Sequence, residues 1–357
     1  MDDLEFTATT VGDLDPQSTQ ATEILERIRT EDAEVPRKLK RIAARSTKWG
    51  IPRSFVGYRA DPTVQTIGYA PKWVFVAEQG GPEYIVKRPT YKGGTTETLT
   101  ELLINQLGSG YGFQMAHSGL VSIDGRPAFV TRSFLGAKEH LVHGSLLIEE
   151  HYGAKRGELD TVPHGIKEQE FYSLDFVIPT LEQYCGKAAE SVVTRFVEMV
   201  LFDALIGSTD RHAQNWGVIR GSTTQGNYRF SPIFDTSRGL FWNLPDAKLA
   251  AISRDNNLLI SHINRACPLM GPVRKGGTAS KCNHFHFLAN LLASFPHLKL
   301  PAVTKVPRDV GPVAASILGM FPFRGAFSKL RRNTILKLIL LRADMVYKVL
   351  EAEGGVS

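Results

Sequence analysis

The sequence predicts an α+β protein of two lobes, a β-rich lobe followed by a helical one. Two observations carry this. Short β-type runs separated by turn residues fill Trp49 to Phe134, and helical periodicity takes over after Phe134. A third observation sets the scale. The 357 residues, 43% hydrophobic and 22% charged, have ordinary globular composition and enough length for two modest cores. A sheet-first, helices-second order segregates the two kinds of element. The predicted division is an acidic, flexible tail over 1–35, a first lobe over 36–134 and a second over 135–357.

Residues 1–20 are polar and poor in aromatics, and 21–30 add at most a short helix. The first lobe holds four predicted strands, Trp73–Ala77, Tyr84–Val86, Gly119–Ile123 and Ala128–Thr131, with turns at Gln79-Gly80-Gly81-Pro82 and Asp124-Gly125-Arg126-Pro127. Between the second and third lies a helix. Thr98 or Thr100 is its expected cap, Leu102, Leu103, Ile104 and Leu107 its apolar face, and Gly108 and Gly110 its end. In the second lobe, Val193, Phe196, Val197, Val200, Leu201 and Leu205 mark an amphipathic helix over Ser191–Ile206. A hairpin follows, with strands Trp216–Arg220 and Tyr228–Phe234 around a Gly221–Gly226 turn. A last long helix runs from Phe327 to Glu353, and its Lys329, Arg331, Arg332, Lys337 and Arg342 are expected on a charged outer face. Docking of that face to a membrane or nucleic acid is the sharper alternative.

Residues 1–35 carry ten acidic and two basic groups, so the rest of the chain holds 40 basic against 26 acidic residues. A body of net charge +14 favours polyanionic partners such as nucleotides, phospholipids or nucleic acid. The apolar stretch Ile335 to Val349 is broken by Lys337, Arg342, Asp344 and Lys348 and is no membrane span. The start MDDLEF lacks the basic and apolar regions of a secretory signal, so a cytoplasmic protein is expected, with export as an effector by another route left open. Cys185, Cys267 and Cys282 are too few and scattered for a disulfide framework, and Cys282-Asn283-His284-Phe285-His286 lacks structural zinc spacing.

The chemistry is concentrated in Leu205-Ile206-Gly207-Ser208-Thr209-Asp210-Arg211-His212-Ala213-Gln214-Asn215-Trp216, directly after the amphipathic helix. The hairpin that follows ends at Asp235, so Asp210, Asn215 and Asp235 are predicted to converge. Phosphoryl transfer asks little covalent work of a protein. It needs an oriented acceptor and neutralised phosphate charge. Asp210 suits the first task, and the neutral oxygen of Asn215 with the carboxylate of Asp235 suits magnesium.

These residues resemble the catalytic core of the HipA-like kinases, the toxin kinases of bacterial toxin–antitoxin modules, and more distantly the phosphatidylinositol 3/4-kinases. Both groups use an Asp-x-His-x-x-Asn loop followed by a metal-binding Asp. Asp210, His212, Asn215 and Asp235 match, whereas the Asp-Phe-Gly of ordinary protein kinases is replaced by Asp235-Thr236-Ser237. The resemblance extends back to Gly68. It implies a two-lobed protein-kinase-like fold using ATP and Mg2+, with Lys87 reaching the phosphates and Glu101 pairing with it. Gly68 and Lys72 would lie in a phosphate-covering loop, and backbone groups near Thr131 and Ser133 would read the adenine. A protein Ser/Thr hydroxyl is the implied acceptor. Autophosphorylation near Thr66, Thr90, Thr95 or Thr96 is an implied extra, and a small antitoxin-like protein a possible partner.

Blander readings stand beside each element. Lys87 alone is a solvated strand residue, Gly68 an ordinary turn, Glu101 an exposed helix residue, and Asp210 to Asn215 a turn bonded to its own backbone. His212 either exchanges a proton or pins the loop, and the pin is favoured. The order along the chain of Lys72, Lys87, Glu101, Asp210, Asn215 and Asp235, which is the order the family requires, favours the kinase. A lipid kinase is the alternative, weakened because Arg238 is the one cation in the segment after Asp235. A non-catalytic kinase-like binding module is the third reading.

Overall fold

A computed structural model describes residues 55, 58–60, 72–77, 81–89, 94–123, 126–152, 172–221, 227–272, 281–299, 302, 307 and 310–352. The predicted acidic tail, the 21–30 helix, Gly68, Thr66, Thr90 and most of the hairpin turn lie outside these residues.

The first part is an antiparallel five-stranded sheet in the order β1-β2-β3-β5-β4. Its strands are β1 (Tyr58–Ala60), β2 (Lys72–Ala77), β3 (Tyr84–Lys87), β4 (Ser118–Ile123) and β5 (Arg126–Arg132). Alternation gives each face its own core. Tyr84, Val86, Val121, Ala128 and Val130 gather on one face under the rings of Phe55, Tyr58 and Phe75. Leu120 and Phe129 face the other way, into the main core with helix α1 (Gly94–Gly110). Lys87 stands opposite Phe129, so its side chain also points to the α1 face.

Helix α1 begins a turn before the predicted cap. Gly94, at φ +50°, makes the turn into it, and Glu97 complements the positive first turn. Thr98 and Thr100 are inside the helix and buried, so they pack rather than cap. Leu102, Leu103, Ile104 and Leu107 are buried as their spacing predicts.

The helical part comprises α2 (Gly144–Tyr152), α3 (Leu174–Cys185), α4 (Ala189–Ile206), α5 (Asp246–Arg254), α6 (Asn256–Arg265), α7 (His284–Ser294), α8 (Val310–Gly319), α9 (Phe323–Ala326) and α10 (Lys329–Ala352). The architecture is therefore α+β, with a β-sheet region followed by a helical one. A second sheet of three antiparallel strands, β6 (Glu139–His143), β7 (Gly217–Gly221) and β8 (Tyr228–Phe230), sits in the helical part. Strand β6 was not expected. The predicted hairpin also stops early, at Phe230. Pro232 has no N–H to continue the ladder, and Ile233 pairs instead with residues 114 and 116, joining the two parts of the chain. Two cations of α10 correct the outer-face reading. Arg331 binds Asp246 and the Phe241 and Leu244 carbonyls. Arg342 is buried and donates to Ala204 O and Ile263 O, at the ends of α4 and α6. Among the described residues no helix is long and apolar enough to cross a membrane.

Candidate active site

The site begins with register. Lys72 and Lys87 are direct partners across β2 and β3, so two ammonium groups share one face. Like charges at that spacing repel unless an anion lies between them. Asp235 supplies it. Its Oδ1 lies 2.7 Å from Lys87 Nζ and its Oδ2 3.0 Å from Lys72 Nζ. On the inner side Lys87 meets Glu101 Oε2 at 3.1 Å and donates to Ser237 Oγ at 3.2 Å. Exposure falls from 19% at Asp235 to 3% at Glu101, so the network runs from the cleft into the core.

The charges tune one another. Burial works against the Lys87 ammonium, but Glu101 and Asp235 overcome it and hold the group protonated above the ordinary lysine range. Burial would raise Asp235; Lys87 and Lys72 outweigh it and keep the carboxyl well below the usual carboxylate range. Glu101 goes the other way. Burial drives it up to about 7, with Lys87 opposing.

The Asp210 loop is set by the end of α4. Gly207 closes the helix in the left-handed region at φ +67°, where an added Cβ would meet Arg342 Cζ at 3.0 Å. The loop then folds on itself: His212 N donates to Asp210 O, and Asn215 N to His212 O. Asn215 Nδ2 donates to Asp210 O at 2.8 Å, which fixes the orientation of its amide. His212 Nδ1 accepts the Gln214 N–H at 3.3 Å, a contact that pins the ring. Asp210 itself is a third exposed and meets Arg238 Nε at 3.3 Å. The turn reading of this loop is thus part of the geometry, and it holds the side chains rather than consuming them.

Arg211, buried between Asp210 and His212, joins the pieces. It grips Asp203 of α4 with two bonds, Nε to Oδ2 at 2.8 Å and Nη2 to Oδ1 at 2.9 Å. Its Nη1 donates to Asn215 O at 3.0 Å and to Phe234 O at 2.7 Å, next to Asp235. Its own carbonyl accepts from Tyr172 Oη, which accepts in turn from Trp216 Nε1. Asp235 holds φ +51°, a left-handed conformation that asparagine and aspartate tolerate better than most residues.

Ser133 N–H donates to Glu83 O at 2.7 Å and Arg132 N–H to His117 O at 2.8 Å, while Thr131 is paired within the sheet on both sides. Backbone donors there are committed to the fold. Two residues further on, the exposed Leu135 N–H donates to Ser133 Oγ at 3.4 Å. Thr95 and Thr96 lie in the first turn of α1. Sequence reasoning missed Arg211, Asp203 and His143. The signal for the first two was an Asp on the helix face eight residues before an Arg inside the loop. His143, half-buried on β6, bonds the Gln214 backbone and lies close enough to His212 and Lys72 to feel their charge.

Asn215 and Asp235 offer hard oxygen donors, and the two lysines offer phosphate ligands. This donor set fits magnesium and a nucleotide, since magnesium takes one or two protein oxygens and completes its shell with phosphates and water. Among the described residues no group of three His, Cys, Asp or Glu side chains could hold another kind of metal. In the Cys282 segment, Asn283 Oδ1 caps α7. His284 Nε2–H donates to Ser208 O at 2.7 Å at the start of the loop.

Burial, helped by the Arg342 charge, pushes the His284 pKa well below its ordinary value against the opposing Ser208 bond. Burial lowers His143 and His262 likewise. The unfolded chain takes up protons below about pH 6.5 and these folded histidines do not, so their contribution to stability is present above that pH and is lost as pH falls. The unfolding free energy should therefore fall between about pH 7 and pH 5, by up to roughly 1.4 kcal/mol per pH unit per histidine, and the urea midpoint with it. His284→Gln, which keeps an N–H near Ser208 O, should flatten the slope in urea titrations. An unchanged slope would contradict this.

The family model of the HipA-like C-terminal domain matches residues 64–268, more than half the chain. No curated protein matches. Among solved structures, the Helicobacter pylori proinflammatory kinase CtkA superposes with a TM-score of 0.64 at 18% identity, over 85% of this chain and 98% of that one. The Shewanella oneidensis toxin–antitoxin protein HipA, solved with HipB and operator DNA, superposes with a TM-score of 0.52 at 14% identity, over 98% of this chain and 76% of that one.

Proposed function

The chain belongs to the HipA-like kinase family, and from that premise we propose that it transfers the γ-phosphate of ATP, with magnesium, to a serine or threonine hydroxyl of a protein. One observation carries the reading. Two cross-strand lysines converge on a single cleft-facing carboxylate, with a buried glutamate behind one of them. A purely structural pair would need one lysine. Two are needed when phosphates must later take the carboxylate's place.

In this reading Glu101 fixes the Lys87 ammonium, and Lys87 and Lys72 bind the phosphate oxygens. Asn215 Oδ1 and the Asp235 carboxylate hold magnesium, which neutralises charge on the phosphates. Asp210 orients the acceptor hydroxyl and takes its proton, while His212 keeps the loop in place. Backbone groups near Thr131 and Ser133 would read the adenine. A small partner protein of the kind that accompanies the Shewanella HipA belongs to the same proposal, as does autophosphorylation at Thr95 or Thr96.

The test is label transfer from γ-labelled ATP with magnesium to lysate proteins. The wild type should label a protein band, and Asp210→Asn should lower transfer by about 10²–10⁴-fold while the protein stays folded. Wild-type protein that binds ATP yet labels neither lysate nor itself would make this a binding module instead.

A further inference from the structure

The segment after Asp235 is fastened to the Asp210 loop at its backbone. Thr209 N donates to Arg238 O at 3.0 Å, and Leu240 N to Ile206 O at 2.8 Å. Gly239 permits this closeness, since an added Cβ would meet Ile206 O at 3.2 Å and Ile104 Cδ1 at 3.1 Å. Arg238 is therefore held at a set distance from Asp210. Its guanidinium lies over the Trp242 ring, 4.7 Å from the centroid, and its Nε meets Asp210 Oδ2 at 3.3 Å. Among the described residues no acceptor meets its two Nη groups, and the side chain is 34% exposed.

Lys72 and Lys87 both answer to Asp235, on the phosphate side of the site. Arg238 is the cation that answers to Asp210, on the acceptor side. A pair this exposed is held weakly and opens easily. When Asp210 turns to an acceptor hydroxyl, the Trp242 ring and the fixed backbone keep the guanidinium in place with its flat fork unengaged. A carboxylate is the planar, two-oxygen anion that matches such a fork.

Resting on the kinase reading, we infer that Arg238 is a specificity residue, binding the carboxylate of an aspartate or glutamate beside the phosphorylated serine or threonine of the protein substrate. The acidic neighbour relieves Asp210 of its ion pair as the hydroxyl arrives, so the same event that recognises the substrate readies the loop. A mere clamp on Asp210 would slow all acceptors alike. A specificity residue changes the ratio between them.

The experiment uses the full chain, γ-labelled ATP with magnesium, and two pools of serine- and threonine-centred peptides. The pools are identical except that positions near the acceptor carry Asp and Glu in one, Asn and Gln in the other. Wild-type kcat/KM should favour the acidic pool by about ten-fold. Arg238→Gln should bring the ratio near one, and Arg238→Lys, which keeps the charge but loses the planar fork, should keep only part of it. Equal wild-type rates on the two pools, or an acidic preference that survives in Arg238→Gln, would overturn the inference. If such a result comes with labelled lysate proteins, only the acidic preference falls. Transfer to neither pool also overturns it, and if lysate is unlabelled too the kinase reading falls with it.

Discussion

Asp203→Ala is expected to cost roughly 3–5 kcal/mol of stability, because it strands the Arg211 guanidinium in the core. Both partners are buried, with 4% and 6% of their side chains exposed. Burial works against the charged arginine and Asp203 offsets it; with the aspartate gone, the guanidinium is too basic to escape by losing its proton. A domain stable by about 5–15 kcal/mol would be left near its threshold. Arg211→Met should cost a comparable amount and also release Asn215 O and Phe234 O, loosening the loop and the approach to Asp235. The double variant Asp203→Leu with Arg211→Met should be less damaged than the sum of the singles, since neither charge is then orphaned. Urea unfolding checks all three. An Asp203→Ala midpoint equal to that of the wild type would mean the pair does not organise the site.

Lys87→Met should reduce label transfer by about 10²–10³-fold with little loss of stability. The side chain contributes its charge at the edge of the core, where Glu101, already raised to about 7 by burial, can accept a proton when its partner is removed. The variant also frees one oxygen of Asp235 while Lys72 keeps the other. Transfer should fall far more than folding does. A loss of activity matched by a comparable loss of stability would point to a structural lysine.

The candidate site was legible in the sequence wherever one of its residues sat on or beside a strongly patterned element. Lys87 follows an apolar strand, Glu101 lies on a helix marked by four apolar residues, and Asp210 to Asn215 directly follow α4. What escaped was set by contacts distant in sequence. Strand β6 is polar, Glu139-His140-Leu141-Val142-His143, and exists because it pairs with β7 far along the chain. Thr98 and Thr100 have the chemistry of caps, but the fold buries them against its core. Arg331 and Arg342 fit a charged outer face by spacing alone, and no local pattern reveals the carbonyls of other elements that turn them inward. The pairing of Lys72 opposite Lys87, on which the site depends, is a matter of register. Composition does not encode it. Pro232 was an overlooked local signal, since it forbids the ladder beyond Phe230.

If the Lys72–Asp235–Lys87–Glu101 network is a magnesium-nucleotide site, calorimetric titration of ATP into the full chain shows it most directly. Saturable one-to-one binding is expected with magnesium, much weaker binding without it, and at least about ten-fold weaker binding in Lys87→Met. A folded wild-type protein that takes up no ATP in the presence of magnesium, or whose affinity is indifferent to Lys87→Met, would contradict it.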